Sequence, residues 1–183
     1  MRRIEGDILA LDLATKMGWA CGPADPKDGK IIYDTVRLAP VGAGADEIFA
    51  GMHKWIADRL TAFPPAVVVY EQPVAPSTVQ GHTNVSTIEI TFGLAAIVRA
   101  VATILCVPRG FATISEVRKY FIGRGNLKSA EAKKQVMQKC RSLGYEPPDD
   151  NAGDALALHR FIAGVCKPEL QLEVAPLFKP VRK

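Results

Sequence analysis

The stretch ILALDL, residues 8–13, decides the fold, because it predicts a buried strand that ends at an acid. A tight turn over residues 14–18 follows, and a second strand begins at Trp19. The segment KIIYDTVRL, residues 30–38, roughly alternates apolar and polar side chains, which is typical of a half-exposed antiparallel strand. This region therefore predicts an antiparallel meander of three strands.

The rest of the chain alternates helices with short apolar strands. The run AVVVY, residues 66–70, is β-branched and unbroken, as expected for a fully buried parallel strand, and it ends at Glu71. A short strand is predicted at residues 105–107. Helices are predicted at residues 45–63, 88–103, 115–121, 129–143 (with Ser129 as N-cap) and 152–165. The order predicts a mixed α/β fold, a five-stranded sheet of three antiparallel strands and then parallel strands, with helices on both faces.

The composition is that of one soluble globular domain, with 48% hydrophobic and 23% charged residues among 183. We expect the domain to span residues 1–166 and a basic, proline-rich tail to span residues 167–183. No cysteine pair has C-x-x-C spacing, so neither a zinc site nor a disulfide scaffold is indicated. The charged N-terminus argues against a signal peptide, and the apolar run 93–107 looks too short to span a bilayer. These features predict a cytoplasmic protein without a membrane partner.

Positive charge is concentrated in one part of the chain. The net charge is +4, and between Arg109 and Arg141 nine basic residues stand against two acidic ones, an excess of seven. Such an excess fits a surface that faces phosphates, and it fits a solvated helix face about equally well. Charge alone therefore leaves nucleic-acid binding open.

Three acids stand where predicted elements end or begin, and two of them have ordinary explanations. Asp12 can cap a turn, and Asp154 can complement the dipole of the helix whose N-terminus it is near. Glu71 is less ordinary, because burying a carboxylate after an apolar strand is costly unless a positive group neutralises it.

Taken together, the three acids predict a metal site. If the first strand pairs with the strand before Glu71, then Asp12 and Glu71 lie side by side, and the last helix can bring Asp154 to the same point. Crowded carboxylates raise one another's pKa and require a cation. Their hard oxygen donors select Mg²⁺, with Mn²⁺ as a substitute. Two such ions about 4 Å apart support in-line cleavage of a phosphodiester bond.

Three segments resemble the acidic motifs of RuvC-type Holliday junction resolvases, which belong to the RNase H-like nuclease superfamily. They are ILALDLATKMGWA (residues 8–20), VVVYEQP (67–73) and NAGDALAL (151–158), in the family's order and spacing. The resemblance spans residues 8–161. It implies an RNase H-like fold and a Mg²⁺-dependent endonuclease, with two ions in each active site. It also implies a homodimer that cuts four-way DNA junctions, in the cytoplasm or nucleoid of a bacterial host cell.

The resemblance assigns the acids one by one. Asp12 matches the family's first acid, Glu71 the second, and Asp154 the last acid of a D-x-x-D motif. The first position of that motif is Asn151 here, and Asp150 stands one residue earlier. A carbonyl oxygen of Asn still binds a hard metal, but without charge. Both residues are candidates for the fourth ligand.

The resemblance also implies roles for basic residues. Lys133 matches a family lysine near the scissile phosphate, where an ammonium can neutralise developing charge, with Lys128 and Lys134 as alternatives. Arg124 lies in a glycine turn that matches a family loop near DNA. A solvated basic face remains the alternative for each of these residues.

Other residues depart from the family or have ordinary explanations. Where the family can place an aromatic residue after the second acid, this chain has Pro73 and Val74, so strand wedging or sequence preference is expected to differ. These departures suggest a phage or prophage protein. His82 and His159 are expected to be ordinary surface or core residues.

Three other readings compete with a junction resolvase. The chain can be an RNase H-like nuclease for other branched DNA or for RNA, and dimerisation, with the helix at 88–103 as the expected interface, would discriminate. It can be an inactive junction-binding protein, since Asn151 replaces an acid. The segment at Asp12 also resembles the first phosphate loop of sugar kinases and actin-like ATPases, but those proteins generally need a second such domain.

Overall fold

The computed structural model describes residues 5–73 and 85–170, which form a five-stranded mixed sheet with helices on both faces. The strands are β1 (Asp7–Asp12), β2 (Lys16–Pro23), β3 (Ile32–Arg37), β4 (Val67–Glu71) and β5 (Arg109–Ala112). The helices are α1 (Ala45–Ala62), α2 (Val85–Ile104), α3 (Ile114–Ile122), α4 (Ser129–Ser142) and α5 (Asp150–Cys166). The predicted fold class is confirmed.

The strand order β3-β2-β1-β4-β5 places the two acid-bearing strands next to each other in the middle of the sheet. β1 is antiparallel to β2, as β2 is to β3, whereas β1 is parallel to β4 and β4 is parallel to β5. Leu11 pairs with Tyr70, so the following residues, Asp12 and Glu71, end adjacent parallel strands. The site prediction required β1 and β4 to be adjacent in the sheet, and this is confirmed.

Side chains alternate between two hydrophobic layers, because successive residues of a strand point to opposite faces. Leu9, Leu11 and Val68 pack under α1 and α2, whereas Ala10 and Val69 pack under α3, α4 and α5. Both layers are fully buried at the centre of the sheet. The sheet is therefore a rigid platform covered on both sides.

Helix starts follow local hydrogen bonding. Thr113 caps α3 and forms a capping box with Glu116, and Asp149 caps α5 by accepting a hydrogen bond from the Ala152 amide. The prediction of Ser129 as an N-cap is wrong. Lys128 holds that position without a side-chain cap, and Ser129 is the first helical residue.

The strand predicted at residues 105–107 is also wrong, because the strand lies four residues later, at β5. Cys106 has a left-handed backbone (φ 55°), and the Val107 amide bonds back to Ala102, so this segment ends α2. Within residues 5–73 and 85–170, β5 is an edge strand that pairs with β4 only. Because much of it faces solvent, it tolerates Arg109 and Gly110 and lacks the apolar signature of a central strand.

Helix α2 is longer than the sequence argument allowed. Among the described residues, Ser86–Ile104 is long and apolar enough to cross a membrane, by length and composition alone. The apolar run 93–107 overlaps only part of this helix, which begins at Val85, three residues before the predicted start at residue 88. One side of α2 belongs to the protein core, since Leu94, Val98 and Ala102 are fully buried against the sheet and α1.

The predicted tail is described only at its start. Lys167 ends α5, and Pro168–Leu170 forms one 3-10 turn with Leu170 buried in the core. The remaining predicted tail residues, 171–183, lie outside the described part of the chain.

Candidate active site

Three acids from three elements line one cleft at the carboxyl ends of β1 and β4. Asp12 ends β1, Glu71 ends β4, and Asp154 lies in the second turn of α5. Helix α5 packs across β1 and β2, which brings Asp154 to the strand ends. The cleft is narrow, with a volume of about 10 Å³, which is the lower limit for a single water molecule. The predicted convergence of these acids is observed.

Asp12 is the most strongly perturbed of the three. Desolvation in the cleft raises its pKa well above the usual value, and the charges of Glu71 and Asp154 raise it further. Lys133 opposes this rise by stabilising the carboxylate. Asp12 therefore holds a proton more tightly than an ordinary aspartate does.

Glu71 and Asp154 are perturbed in the same direction. Desolvation, followed by the charge of Asp154, raises the pKa of Glu71 to about 7. Desolvation also raises the pKa of Asp154 to about 6. The Arg118 guanidinium lowers the pKa of both carboxyls, but not enough to offset their burial. The raised pKa values mean that at neutral pH the acids keep part of their protons instead of their full negative charge.

The chemistry of this cleft fits a hard divalent cation. Asp12 and Glu71 lie within hydrogen-bonding reach of each other, and a metal ion can replace the protons that burial makes them retain. Carboxylate oxygens are the ligands that Mg²⁺ and Mn²⁺ prefer. Within residues 5–73 and 85–170, no three acidic, histidine or cysteine side chains already stand in a metal-binding arrangement. The fit therefore rests on the carboxylate oxygens as donors and on the negative charge that the three acids carry when they are ionised.

Lys133 reaches the cleft from α4 through Asp150. Its Nζ lies 2.5 Å from an Asp150 carboxylate oxygen, and both side chains are about 40% exposed. This hydrogen bond raises the pKa of Lys133, and Asp154 and Asp12 contribute to the rise. The lysine is thus charged, close to the acids and still accessible from solvent.

The two candidates for a fourth ligand are placed differently. Asp150 acts electrostatically on both Asp12 and Asp154, raising the pKa of each. The side-chain amide of Asn151 instead donates a hydrogen bond of 2.8 Å to the Lys16 carbonyl. Neither Asp150 nor Asn151 is among the residues that line the cleft.

Arg118 is the site residue that the sequence reasoning missed, because it was counted only as part of the basic stretch. It lies on α3, is 8% exposed and lines the cleft with the three acids. Its Nε has no hydrogen-bond partner among the described residues. The helical spacing carried a signal: Ile114, Arg118 and Phe121 fall on one stripe of α3, so the arginine occupies a core-facing position.

The other basic candidates lie away from the acids on exposed surface. Arg124, Lys128 and Lys134 are exposed, between α3 and the first turns of α4. The glycines around Arg124 have structural reasons: Gly123 takes a left-handed conformation (φ 78°), and a Cβ at Gly125 would lie 2.5 Å from the Ser115 hydroxyl. The turn presents Arg124 to solvent, where it can meet a phosphate.

The histidine predictions have separate outcomes. His159 is fully buried, its Nε2 lies 2.9 Å from the Gly22 carbonyl, and burial lowers its pKa to about 4. It is a neutral core residue, as expected. His82 and Val74 lie outside the described residues.

Solved structures with a similar fold include three from this nuclease group. Thermus thermophilus RuvC bound to a Holliday junction substrate is 18% identical, covering 91% of this chain and 98% of its own, with a TM-score of 0.67. Another structure of Thermus thermophilus RuvC is 18% identical; the alignment covers 87% of this chain and 95% of the RuvC chain, with a TM-score of 0.61. The yeast mitochondrial Holliday junction resolvase Ydc2 is 10% identical; the alignment covers 91% of this chain and 81% of the Ydc2 chain, with a TM-score of 0.57.

This likeness shows that the chain has the RNase H-like fold of RuvC across nearly its whole length. No protein-family model matches the sequence, and no curated protein matches it. None of the three structures comes from a phage, so the phage origin suggested by the sequence gains no support.

Proposed function

We propose that this chain is a metal-dependent endonuclease that cuts four-way DNA junctions as a homodimer, with Mg²⁺ or Mn²⁺ as cofactor. The observation that carries the proposal is the cleft in which Asp12, Glu71 and Asp154 crowd together with raised pKa values. In such a cluster, bound cations can take the place of the protons that the raised pKa values otherwise retain. The RuvC-like fold supports phosphodiester cleavage as the reaction that these cations serve.

The acids would hold two metal ions. Asp12, Glu71 and Asp154 provide the charged oxygens, and Asp150 or Asn151 provides a further one. Ions bound there would supply the Lewis acidity that readies a water molecule and stabilises the leaving oxygen. Hydrolysis would leave a 5′-phosphate and a 3′-hydroxyl.

The protein's own cations would act on the phosphate. Lys133 is charged and accessible beside the acids, so it can neutralise charge that develops on the scissile phosphate. Arg118 is buried, and its positive charge lowers the pKa of Glu71 and Asp154, which favours their ionised forms. Arg124, Lys128 and Lys134 are exposed and would contact the DNA backbone.

Dimerisation would use the outer side of α2. Phe92, Ala96, Ala100 and Ile104 form an exposed stripe at four-residue spacing, and Ile104 is 76% exposed. Small residues between two large apolar ones let a second helix approach closely and bury that stripe. Two subunits joined in this way would present two clefts, one for each strand that must be cut.

The decisive experiment is cleavage of a synthetic four-way junction, labelled on each strand in turn, with Mg²⁺, Mn²⁺ or EDTA. We expect paired incisions with either metal, none with EDTA, and none from an Asp12→Asn variant that still binds the junction. If the wild-type protein binds the junction but never cuts it with either metal, the enzyme proposal fails and the inactive junction-binding reading replaces it.

Substrate choice is tested with the same variants. Linear duplex, a three-way junction, a flap and an RNA–DNA hybrid should be cut at least about tenfold more slowly than the four-way junction. Preferred cutting of the hybrid or the flap would favour the reading as another RNase H-like nuclease.

A further inference from the structure

The start of α5 is tied to the start of β2 at three points. Asn151 Nδ2 donates a hydrogen bond of 2.8 Å to the Lys16 carbonyl. Lys16 Nζ lies 2.5 Å from a carboxylate oxygen of Asp149, the residue that caps α5. A Cβ at Gly18 would lie 1.9 Å from the Asn151 carbonyl oxygen, so only glycine allows the backbones to approach this closely.

These contacts lie beside the acids that must act together. Gly18 pairs directly with Asp12 across the β1–β2 ladder, so the contact with α5 is made at the register position of that acid. Asp154 follows Asn151 by three residues, which places both on the same side of one helical turn. A shift of the first turn of α5 would therefore change the separation of Asp154 and Asp12.

We propose that Asn151 is a positioning residue that sets the separation of Asp12 and Asp154, and that Asp150 supplies the fourth oxygen of the metal site. This inference rests on the proposed function, because it assigns a ligand to the proposed metal site. Asp150 lies one helical turn before Asp154, on the same side of α5, and forms an ion pair with Lys133.

Hydrogen-bond chemistry explains why residue 151 is an amide. The Lys16 carbonyl is an acceptor, so its partner must be a donor, and an ionised carboxylate only accepts. Aspartate at this position would place two electron-rich oxygens against each other and break the contact. The departure from a D-x-x-D motif is therefore what the local backbone requires.

The test is a calorimetric titration of the full-length protein with Mn²⁺ in the absence of DNA, combined with the Tm of the metal-free protein. The variants are Asn151→Asp and Asp150→Asn. We expect each to weaken Mn²⁺ binding by about tenfold, since loss of the groups that support metal ligands costs this much. For Asn151→Asp, the weakening would occur despite the added negative charge.

Three results would overturn the inference. Tighter Mn²⁺ binding by Asn151→Asp than by wild type would place residue 151 among the ligands. A lowered Tm with unchanged Mn²⁺ affinity would make Asn151 a stability residue only. Wild-type protein that binds no Mn²⁺ would overturn both this inference and the proposed function, whereas the first two results leave the proposed function intact.

Two further variants calibrate the size of the effect. Lys16→Met removes the ion pair with Asp149 but keeps the backbone carbonyl, so we expect Mn²⁺ affinity to fall by less than about fivefold. Lys54→Met breaks the exposed 2.6 Å pair with Asp58 on α1 and should leave Mn²⁺ affinity unchanged. An effect of Lys16→Met as large as that of Asn151→Asp would move the positioning role to the ion pair and overturn the role of Asn151.

Discussion

Helices α2 and α5 lie on opposite faces of the same sheet and expose opposite kinds of surface. α2 is apolar nearly all round, yet Phe92 and Ile104 remain exposed. α5 is buried over most of its length, yet it carries Asp154, His159 and Arg160 inward. One helix leaves apolar surface in water, and the other takes polar groups out of it.

The contrast matters because each arrangement costs free energy unless something compensates. Exposed apolar surface on this scale is typical of an interface with another protein. Buried polar groups persist where they have partners, as His159 has in the Gly22 carbonyl. Among the described residues, Asp154 lies near other acids and near two positive charges, Arg118 and Lys133, which offset its burial only in part. We therefore interpret α2 as the surface for assembly and α5 as the element that carries the chemistry.

The largest expected effect comes from α5. Asp154→Asn keeps the size of the side chain but removes its charge, so junction cleavage should fall by more than about 100-fold. Mutating residues that only hydrogen-bond to metal ligands already lowers activity by about 10- to 100-fold. Single-turnover cleavage measures this, and junction binding in Ca²⁺ serves as the control. A rate within about tenfold of wild type would remove Asp154 from the chemistry.

The next effect concerns the lysine that α5 holds through Asp150. Lys133→Met should lower the single-turnover rate by about 100-fold, because it removes a charge beside the developing phosphate charge, while junction affinity changes little. Lys134→Met is the matched control, because Lys134 is the exposed neighbour of Lys133 and its loss should lower junction affinity rather than the cleavage rate. Equal losses of rate and affinity in Lys133→Met would make it a phosphate anchor only.

A smaller effect on chemistry is expected from α2. Ala96→Glu puts a charge in the centre of the exposed stripe, and burying it against a second copy is unfavourable, so the dimer should dissociate. Light scattering measures the mass, and Val41→Glu, on a residue that is 84% exposed elsewhere, is the control. We expect monomers that nick one strand but lose paired incision. A wild-type monomer would contradict the assembly role of α2.

The smallest effect concerns stability and pH in the metal-free protein. Asp154 and Glu71 have raised pKa values of about 6 and 7, so between pH 4 and 7 these two groups bind more protons in the folded state than in the unfolded state. Buried His159, with its pKa lowered to about 4, binds fewer protons in the folded state and offsets part of this effect. Stability from the two acids is complete below pH 4 and is lost as pH rises to 7. We expect the Tm to fall by on the order of 5 °C across this window.

Mg²⁺ should restore much of that loss at pH 7, because it binds the ionised carboxylates of the folded state. The matched variant is Asp154→Asn, in which the pH dependence should shrink. An equally steep pH dependence of the Tm in metal-free Asp154→Asn and metal-free wild type would contradict the raised pKa of Asp154.

Most of the fold could be predicted from periodicity. The three-stranded meander, the buried strand before Glu71 and the long helices all have strong local patterns, and each is present. The strand predicted at residues 105–107 was wrong because an edge strand such as β5 needs few apolar residues. Its position is set by pairing with β4, which no local pattern records.

The site could be predicted in part. Asp12, Glu71 and Asp154 were identified from strand ends, helix position and resemblance, and the structure brings them together. Arg118 was missed, because a basic residue on a short amphipathic helix is ordinary until the cleft beside it is known. The different placements of Asp150 and Asn151 depend on Lys133 and Lys16, which are distant in sequence.

The sequence by itself determined the elements and the three acids, because strand and helix periodicity and acid position are local properties of the chain. Only the tertiary structure decided how these acids are perturbed, since burial and mutual charge arise when β1, β4 and α5 meet. It also decided that Arg118 faces the cleft and that Asn151 ties α5 to the start of β2. Electrostatics and hydrogen bonds between distant segments exist only after the chain has folded.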